Sequence, residues 1–252
     1  VQHVRNKKAV CDGFVGVANF FSATQFAQEL KSLCQQLEDD ALSNVRYDRE
    51  MMDSKEKIRT FDPKTISDLQ YYSGMGYLKM NECLRSQNSV VRDLCDPSLL
   101  QMIHRIESAL KKKRLGEMTL YRYGDYRLIG LQEDDAKIDD LSKLVGRRIR
   151  DKGFMSTTVI PTRDKKYNVQ LVIQGTAGTE GLVIEPISYF PEEKEVLLQR
   201  DTEYVITKAK QNPSGEIVAY VRIIPKGRNI QPKVLKRITI KDQGNKPRAR
   251  AS

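Results

Sequence analysis

The chain has 252 residues, of which 39% are hydrophobic and 30% charged, and a formal net charge of +10. That length supports one large domain, or one domain with an appendage, and no run is long and apolar enough to cross a membrane as a helix. The charge is uneven: nine Lys/Arg against Asp242 alone fall between Lys226 and Ser252, which puts +8 there and only +2 on everything before.

No pattern of basic residues, apolar core and small-residue cleavage site opens the chain, which begins on Val1; a leader removed earlier stays an open alternative. The first third reads as helical. Ser22 with Gln25 forms a capping-box pattern, and Phe26, Leu30, Leu33, Leu37 and Ala41 follow at helical spacing, which predicts one buried face. Asp62-Pro63 starts a second helix that should end at Gly74, because the Asp side chain caps and Pro suits the first helical position. Asp96-Pro97 starts a third, with Leu99, Ile103, Ile106 and Leu110 on one face and Lys111 to Arg114 at the negative end of its dipole.

Past Met118 the pattern changes. Leu120 to Tyr123 reads as a strand, and a helix with Ile138, Leu141, Leu144 and Val145 should close at Gly146. Strand-like runs follow at Phe154–Val159, Val169–Ile173, Leu182–Ile184, Val196–Leu198, Tyr204–Thr207 and Ile217–Ile224. Helices first and strands second is the order of an α+β domain. Cys11, Cys34, Cys83 and Cys95 show no C-x-x-C pair, and His3 and His104 stand far apart, so no metal site is expected. The cysteines read mostly as reduced core residues, with pairing open in an oxidising compartment. The basic tail lacks interleaved aromatics and reads as a solvated segment, so no nucleic acid is expected as partner.

The stretch that gives these elements a purpose is Gly181 to Arg200. Glu193 and Glu195 stand two apart before the apolar run Val196-Leu197-Leu198. In extended chain they would face the same side, with Lys194 turned away. Two carboxylates so close repel, and one of them should have a shifted pKa or a cationic partner. Tyr189 and Phe190 stand just upstream, on a turn before Pro191. Each feature alone is ordinary, as are Tyr121-Arg122 and Phe154-Met155-Ser156-Thr157-Thr158. No Rossmann or Walker phosphate motif is present.

Taken in order, Arg122, Ser156-Thr157-Thr158 and Glu193-x-Glu195 resemble the Arg, Ser-Thr-Ser and Glu-x-Glu signature of the mono-ADP-ribosyltransferases of the clostridial-toxin type. Tyr72-Ser73-Gly74-Met75-Gly76-Tyr77, Asn81 and Arg85 are similar to an upstream helical segment of that family. Pro186 to Leu198 is similar to its target-recognition loop and the strand that follows. The resemblance spans Ile66 to Ile224.

It implies an ADP-ribosyltransferase-like fold, with two packed antiparallel sheets, flanking helices and a helical N-terminal region. The implied division is a helical region over 1–60, the catalytic domain over 61–225 and the basic segment over 226–252. NAD would be the substrate, with no metal. Arg122 and Arg85 would hold its diphosphate, since a guanidinium binds phosphate with a planar fork. Asn81, Tyr77, Phe154, Thr157, Thr158 and Arg163 would line its site, with Tyr167 a further choice beside Arg163. Glu195 would stabilise positive charge on the ribose as nicotinamide leaves, oriented by Ser156.

Glu193 would select the acceptor. A guanidinium must be oriented and relieved of a proton, and family members that modify asparagine or nucleic acid carry Gln there. Tyr189 and Phe190 would read the target protein, unless one packs under the turn. The resemblance thus implies transfer to an arginine on a host protein by a monomeric toxin or effector, secreted or injected and acting in a target cell's cytosol. Two alternatives stay open: NAD glycohydrolysis, and a non-enzymatic binding module with the same fold.

Overall fold

The computed structural model describes residues 25–86, 95–131, 140–161 and 167–225. The capping Ser22, the side chains of Phe26, Leu30, Leu37 and Ala41, Ile138, Arg163, Cys11, His3 and the basic tail lie outside the described residues.

Helix α1 (Gln25–Ile58) is anchored through its C-terminal half. Tyr47, Glu50, Ser54 and Ile58 are buried on it, a spacing of three, four and four that makes one stripe. Glu50 is buried with its carboxylate satisfied, accepting from Lys113 Nζ at 2.7 Å and from the Gly116 amide at 2.8 Å. Leu33, expected on the buried face, is 55% exposed; burial belongs to Cys34 beside it.

Helix α2 (Pro63–Tyr71) starts as its sequence dictates, the Asp62 carboxylate accepting from the Thr65 amide at 3.0 Å. It does not end at Gly74. A π-helical turn over Tyr72–Gly76 carries the chain straight into α3 (Tyr77–Arg85). The glycines serve close approach here rather than termination. A Cβ on Gly76 would stand 2.8 Å from the Tyr71 carbonyl oxygen, inside contact distance. Helix α4 (Pro97–Lys111) is capped by Asp96 at the Leu99 amide and buries Ile103, Ile106 and Leu110, as the spacing predicts. A disulfide joins Cys83 on α3 to Cys95 just before α4, which corrects the reduced reading for that pair; Cys34 is buried and outside that disulfide.

Among the described residues nine strands follow: β1 (Arg114–Leu115), β2 (Met118–Gly124), β3 (Arg148–Asp151), β4 (Met155–Thr158), β5 (Val169–Gly175), β6 (Thr179–Val183), β7 (Glu195–Leu198), β8 (Thr202–Gln211) and β9 (Ile217–Ile224). Their order across the sheet is β1-β6-β7-β4-β2-β5-β9-β8-β3. The single pair Tyr121 opposite Thr158 joins β2 to β4, linking a half-sheet of β1, β6, β7 and β4 to one of β2, β5, β9, β8 and β3. Pairing is antiparallel except between β5 and β9, which run parallel. The helix expected before Gly146 is a single 3-10 turn, Leu141–Leu144, among the described residues.

Side chains from both half-sheets share one core, in which Leu120, Leu171 and Ile206 meet Val183, Val196 and Leu198. A second core lies under the helices, where Leu69, Tyr72, Met80 and Ile106 pack on Phe154 and Leu197. Strand β7 is therefore covered on both faces, Val196 and Leu198 toward one core and Leu197 toward the other. That explains why its sequence is continuously apolar rather than alternating.

Candidate active site

The strand order β7-β4-β2 makes neighbours of residues far apart in sequence: Glu195 opens β7, Ser156 lies on β4 and Arg122 on β2. The register sets Thr158 opposite both Glu195 and Tyr121. Arg122 Nη1 donates to the Ser156 carbonyl at 3.2 Å. Glu195 is 5% exposed, with the Ser156 side chain close enough to act on its carboxyl. Burial pushes its carboxyl up to about 7; the Ser156 side chain and the Arg122 charge pull it down, and Glu193 adds to the rise.

Glu193 reaches this neighbourhood by a different backbone from the one its spacing suggests. It ends a 3-10 turn, Pro191–Glu193, and Lys194 takes a left-handed conformation (φ 46°), so the extended geometry that would align Glu193 with Glu195 is absent. Pro191 favours such a turn by fixing its own φ. The two carboxylates are still close enough to interact, and Lys194 does turn away, its Nζ 5.4 Å from the centre of the Tyr47 ring. Burial and the Glu192 charge raise the Glu193 carboxyl as well.

Thr157 and Thr158 hold this geometry. Thr157 is buried on the core face of β4 and its hydroxyl donates to the Val196 carbonyl at 2.6 Å. Thr158 Oγ1 donates to the Glu193 carbonyl at 2.6 Å and accepts from the Ile160 amide at 3.0 Å, which ties the Glu193 turn to β4. Both hydroxyls reach across to the segment that carries Glu193 and Val196.

Asn81 and Phe154 also make contacts within the protein. Asn81 is buried, its Oδ1 accepting from the Phe154 amide at 2.8 Å and its Nδ2 donating to the Tyr72 hydroxyl at 3.0 Å. It clips α3 to the start of β4. The Phe154 ring is fully buried, edge-on to Tyr72 with centroids 5.6 Å apart. Tyr77, at the start of α3, is 43% exposed and open to a ligand.

Arg85 and Arg122 do come together, through a residue the sequence did not single out. Arg85 grips Asp151 with two parallel bonds, from Nε at 2.8 Å and Nη2 at 3.0 Å, while Arg122 Nη2 stands 3.6 Å from the same carboxylate. All three line a cleft of about 440 Å³ with Tyr123, Arg127 and Tyr204. Gly153 is what lets the chain pass: a Cβ there would lie 2.6 Å from Asn81 Oδ1 and 2.9 Å from Arg85 Nε. Asp151 sits between Arg150 and Lys152 and reads as an ordinary surface charge until the fold is known.

Tyr189 and Phe190, just before the Pro191–Glu193 turn, are 64% and 45% exposed. Neither packs under the turn, though the Tyr189 ring borders Gly74 and its amide donates to Ser73 Oγ at 3.1 Å. Among the described residues no group of His, Cys, Asp and Glu could hold a metal ion, and no helix is long and apolar enough to cross a membrane.

The family model described as ADP-ribosyltransferase exoenzyme matches residues 28–222. A curated relative, mono-ADP-ribosyltransferase C3 of a Clostridium botulinum C phage, is 26% identical over 159 residues, or 58% of this chain; the chain spans 65% of that relative's length. Among solved structures, Plx2a, an ADP-ribosyltransferase toxin from Paenibacillus larvae, superposes with a TM-score of 0.61 at 21% identity. That match covers 74% of this chain and 96% of the toxin. C3stau2 from S. aureus, solved with NAD, gives 0.59 at 19% identity, covering 72% of this chain and 96% of the other.

Proposed function

The chain belongs to the ADP-ribosyltransferase exoenzyme family, and on that premise we propose that it transfers ADP-ribose from NAD to an arginine of a target protein, releasing nicotinamide. The observation that carries the proposal is the convergence of Glu195, Ser156 and Arg122 from three adjacent strands.

In this reading Arg85 and Arg122 take the diphosphate of NAD, exchanging the Asp151 carboxylate for phosphate oxygens at the same N–H donors. The bond between the ribose carbon and the nicotinamide nitrogen breaks with its electron pair leaving on nicotinamide. The ribose becomes cationic, and ionised Glu195 faces that charge from a fixed, buried position. An arginine nitrogen of the target then forms the new bond to the ribose carbon and gives its proton to Glu193. Ser156 keeps Glu195 aimed, and the exposed Tyr189 and Phe190 form the collar the target protein meets. The toxin names of the relatives support a bacterial toxin or effector, secreted or injected and acting in the cytosol of a target cell.

The test is incubation with NAD and a cell lysate, followed by peptide mass spectrometry of the modified bands. ADP-ribose on arginine supports the proposal; consistent modification of another residue type refutes the role given to Glu193. Nicotinamide release with no protein modified would favour glycohydrolysis, and neither product would favour a binding module.

A further inference from the structure

The loop that carries Tyr189, Phe190 and Glu193 runs from residue 185 to residue 194. Its neck is closed by the Ile184 amide, which donates to the Glu195 carbonyl at 3.1 Å and pins the Glu195 backbone independently of the loop beyond it. One side chain from outside the loop touches both of its ends. Tyr47, buried on α1, donates its hydroxyl to the Glu185 carboxylate at the entry. The face of the same ring takes the Lys194 ammonium, 5.4 Å from its centroid, at the exit. The next anchor on that helix, Ser54 Oγ, accepts from the Val183 amide at 3.1 Å and fixes the strand feeding the loop.

We propose that Tyr47 is a positioning residue that clamps both ends of this loop, holding Glu193 and the Tyr189–Phe190 pair in place for a protein acceptor. The inference rests on the transferase reading above and gives a role to α1, more than 130 residues away in sequence. Three observations support it. A hydroxyl-to-carboxylate bond is charge-assisted and stronger than a neutral one. Burial and the Glu185 carboxylate both raise the Tyr47 hydroxyl well above its ordinary value, so it stays a donor. Lys194 holds a left-handed backbone, unfavourable for a residue with a Cβ, and such a conformation persists only where surrounding contacts determine it.

None of Tyr47, Glu185 and Lys194 lines the cleft around Arg85 and Arg122. Loss of the clamp should therefore loosen the acceptor side and spare cleavage of NAD. In Tyr47→Phe, transfer to an arginine-bearing acceptor should fall at least about fivefold, while nicotinamide release to water stays within about twofold. A merely destabilised protein would lose both in proportion.

The chain has no tryptophan, so Phe190→Trp supplies a single fluorescent reporter on the loop. In that background Tyr47→Phe should lower the tryptophan anisotropy in the absence of NAD. Glu185→Ala breaks the same bond from the half-exposed loop side and should give the same split if Tyr47→Phe folds poorly. Unchanged anisotropy, unchanged transfer, or equal loss of transfer and hydrolysis would each overturn the proposal. If the unsubstituted protein transfers nothing yet anisotropy falls, the clamp stands and the transferase reading fails.

Discussion

Arg122 donates through its guanidinium to the backbone carbonyl of Ser156, at 3.2 Å, while the Ser156 side chain lies close enough to Glu195 to lower its carboxyl. One residue of β4 thus ties the cation that would hold NAD to the carboxylate that would face its ribose. The geometry makes the two ends of the site interdependent, and the predictions below follow from it.

The first concerns pH. Burial holds the Glu195 carboxyl up to about 7, and only its ionised form stabilises a developing ribose cation. The kcat/KM for nicotinamide release should therefore rise with pH and level off above an inflection near 7. Because the Glu193 charge contributes to the rise, Glu193→Gln should move the inflection down. Stability has the opposite sign: the folded state binds the proton more tightly than the unfolded one, so Glu195 costs stability as pH rises from about 4.5 to about 7 and no further beyond. Thermal melts of Glu195→Gln should show that slope reduced.

A second prediction separates the two carboxylates. Glu193 acts on the acceptor alone in this account, so Glu193→Gln should cut arginine modification by about a hundredfold or more and leave hydrolysis of NAD within a few-fold. Parallel assays of labelled protein and free nicotinamide measure both. Equal loss of the two would assign Glu193 to NAD cleavage.

Much of this was readable in the chain. Asp62-Pro63 and Asp96-Pro97 announced their helices because a cap is a local, short-range device. The expected strands from Leu120 to Ile224 were set by their apolar patterns. What escaped depended on distant partners. Gly74 looked like a stop because nothing local reveals that Tyr189 presses against it. Glu193 looked extended because the left-handed Lys194 carries no signature. The bond between Asn81 and the Phe154 amide was hidden because the two lie 73 residues apart. Asp151, held between two arginines from α3 and β2, was invisible for the same reason.

The third prediction rests on that aspartate. Its carboxylate competes with phosphate for the Arg85 and Arg122 donors, so Asp151→Asn should bind NAD about three- to tenfold more tightly by calorimetry, most clearly at low salt. The same variant should melt lower, because two cations lose their partner; Arg85 is 40% exposed, which keeps that loss to about 1 kcal/mol. Weaker binding of NAD would mean that Asp151 orients the arginines for phosphate rather than competing with it.

The most direct test of the whole account is the rate of nicotinamide release by Glu195→Gln, with folding verified by its melt. Glutamine preserves the shape of the side chain and removes the charge. The account predicts a loss of about a thousandfold in kcat with NAD affinity nearly unchanged, as expected when a group acts only in the transition state. Release within about threefold of the unsubstituted protein would contradict it, because the buried carboxylate would then have no part in breaking the bond to nicotinamide.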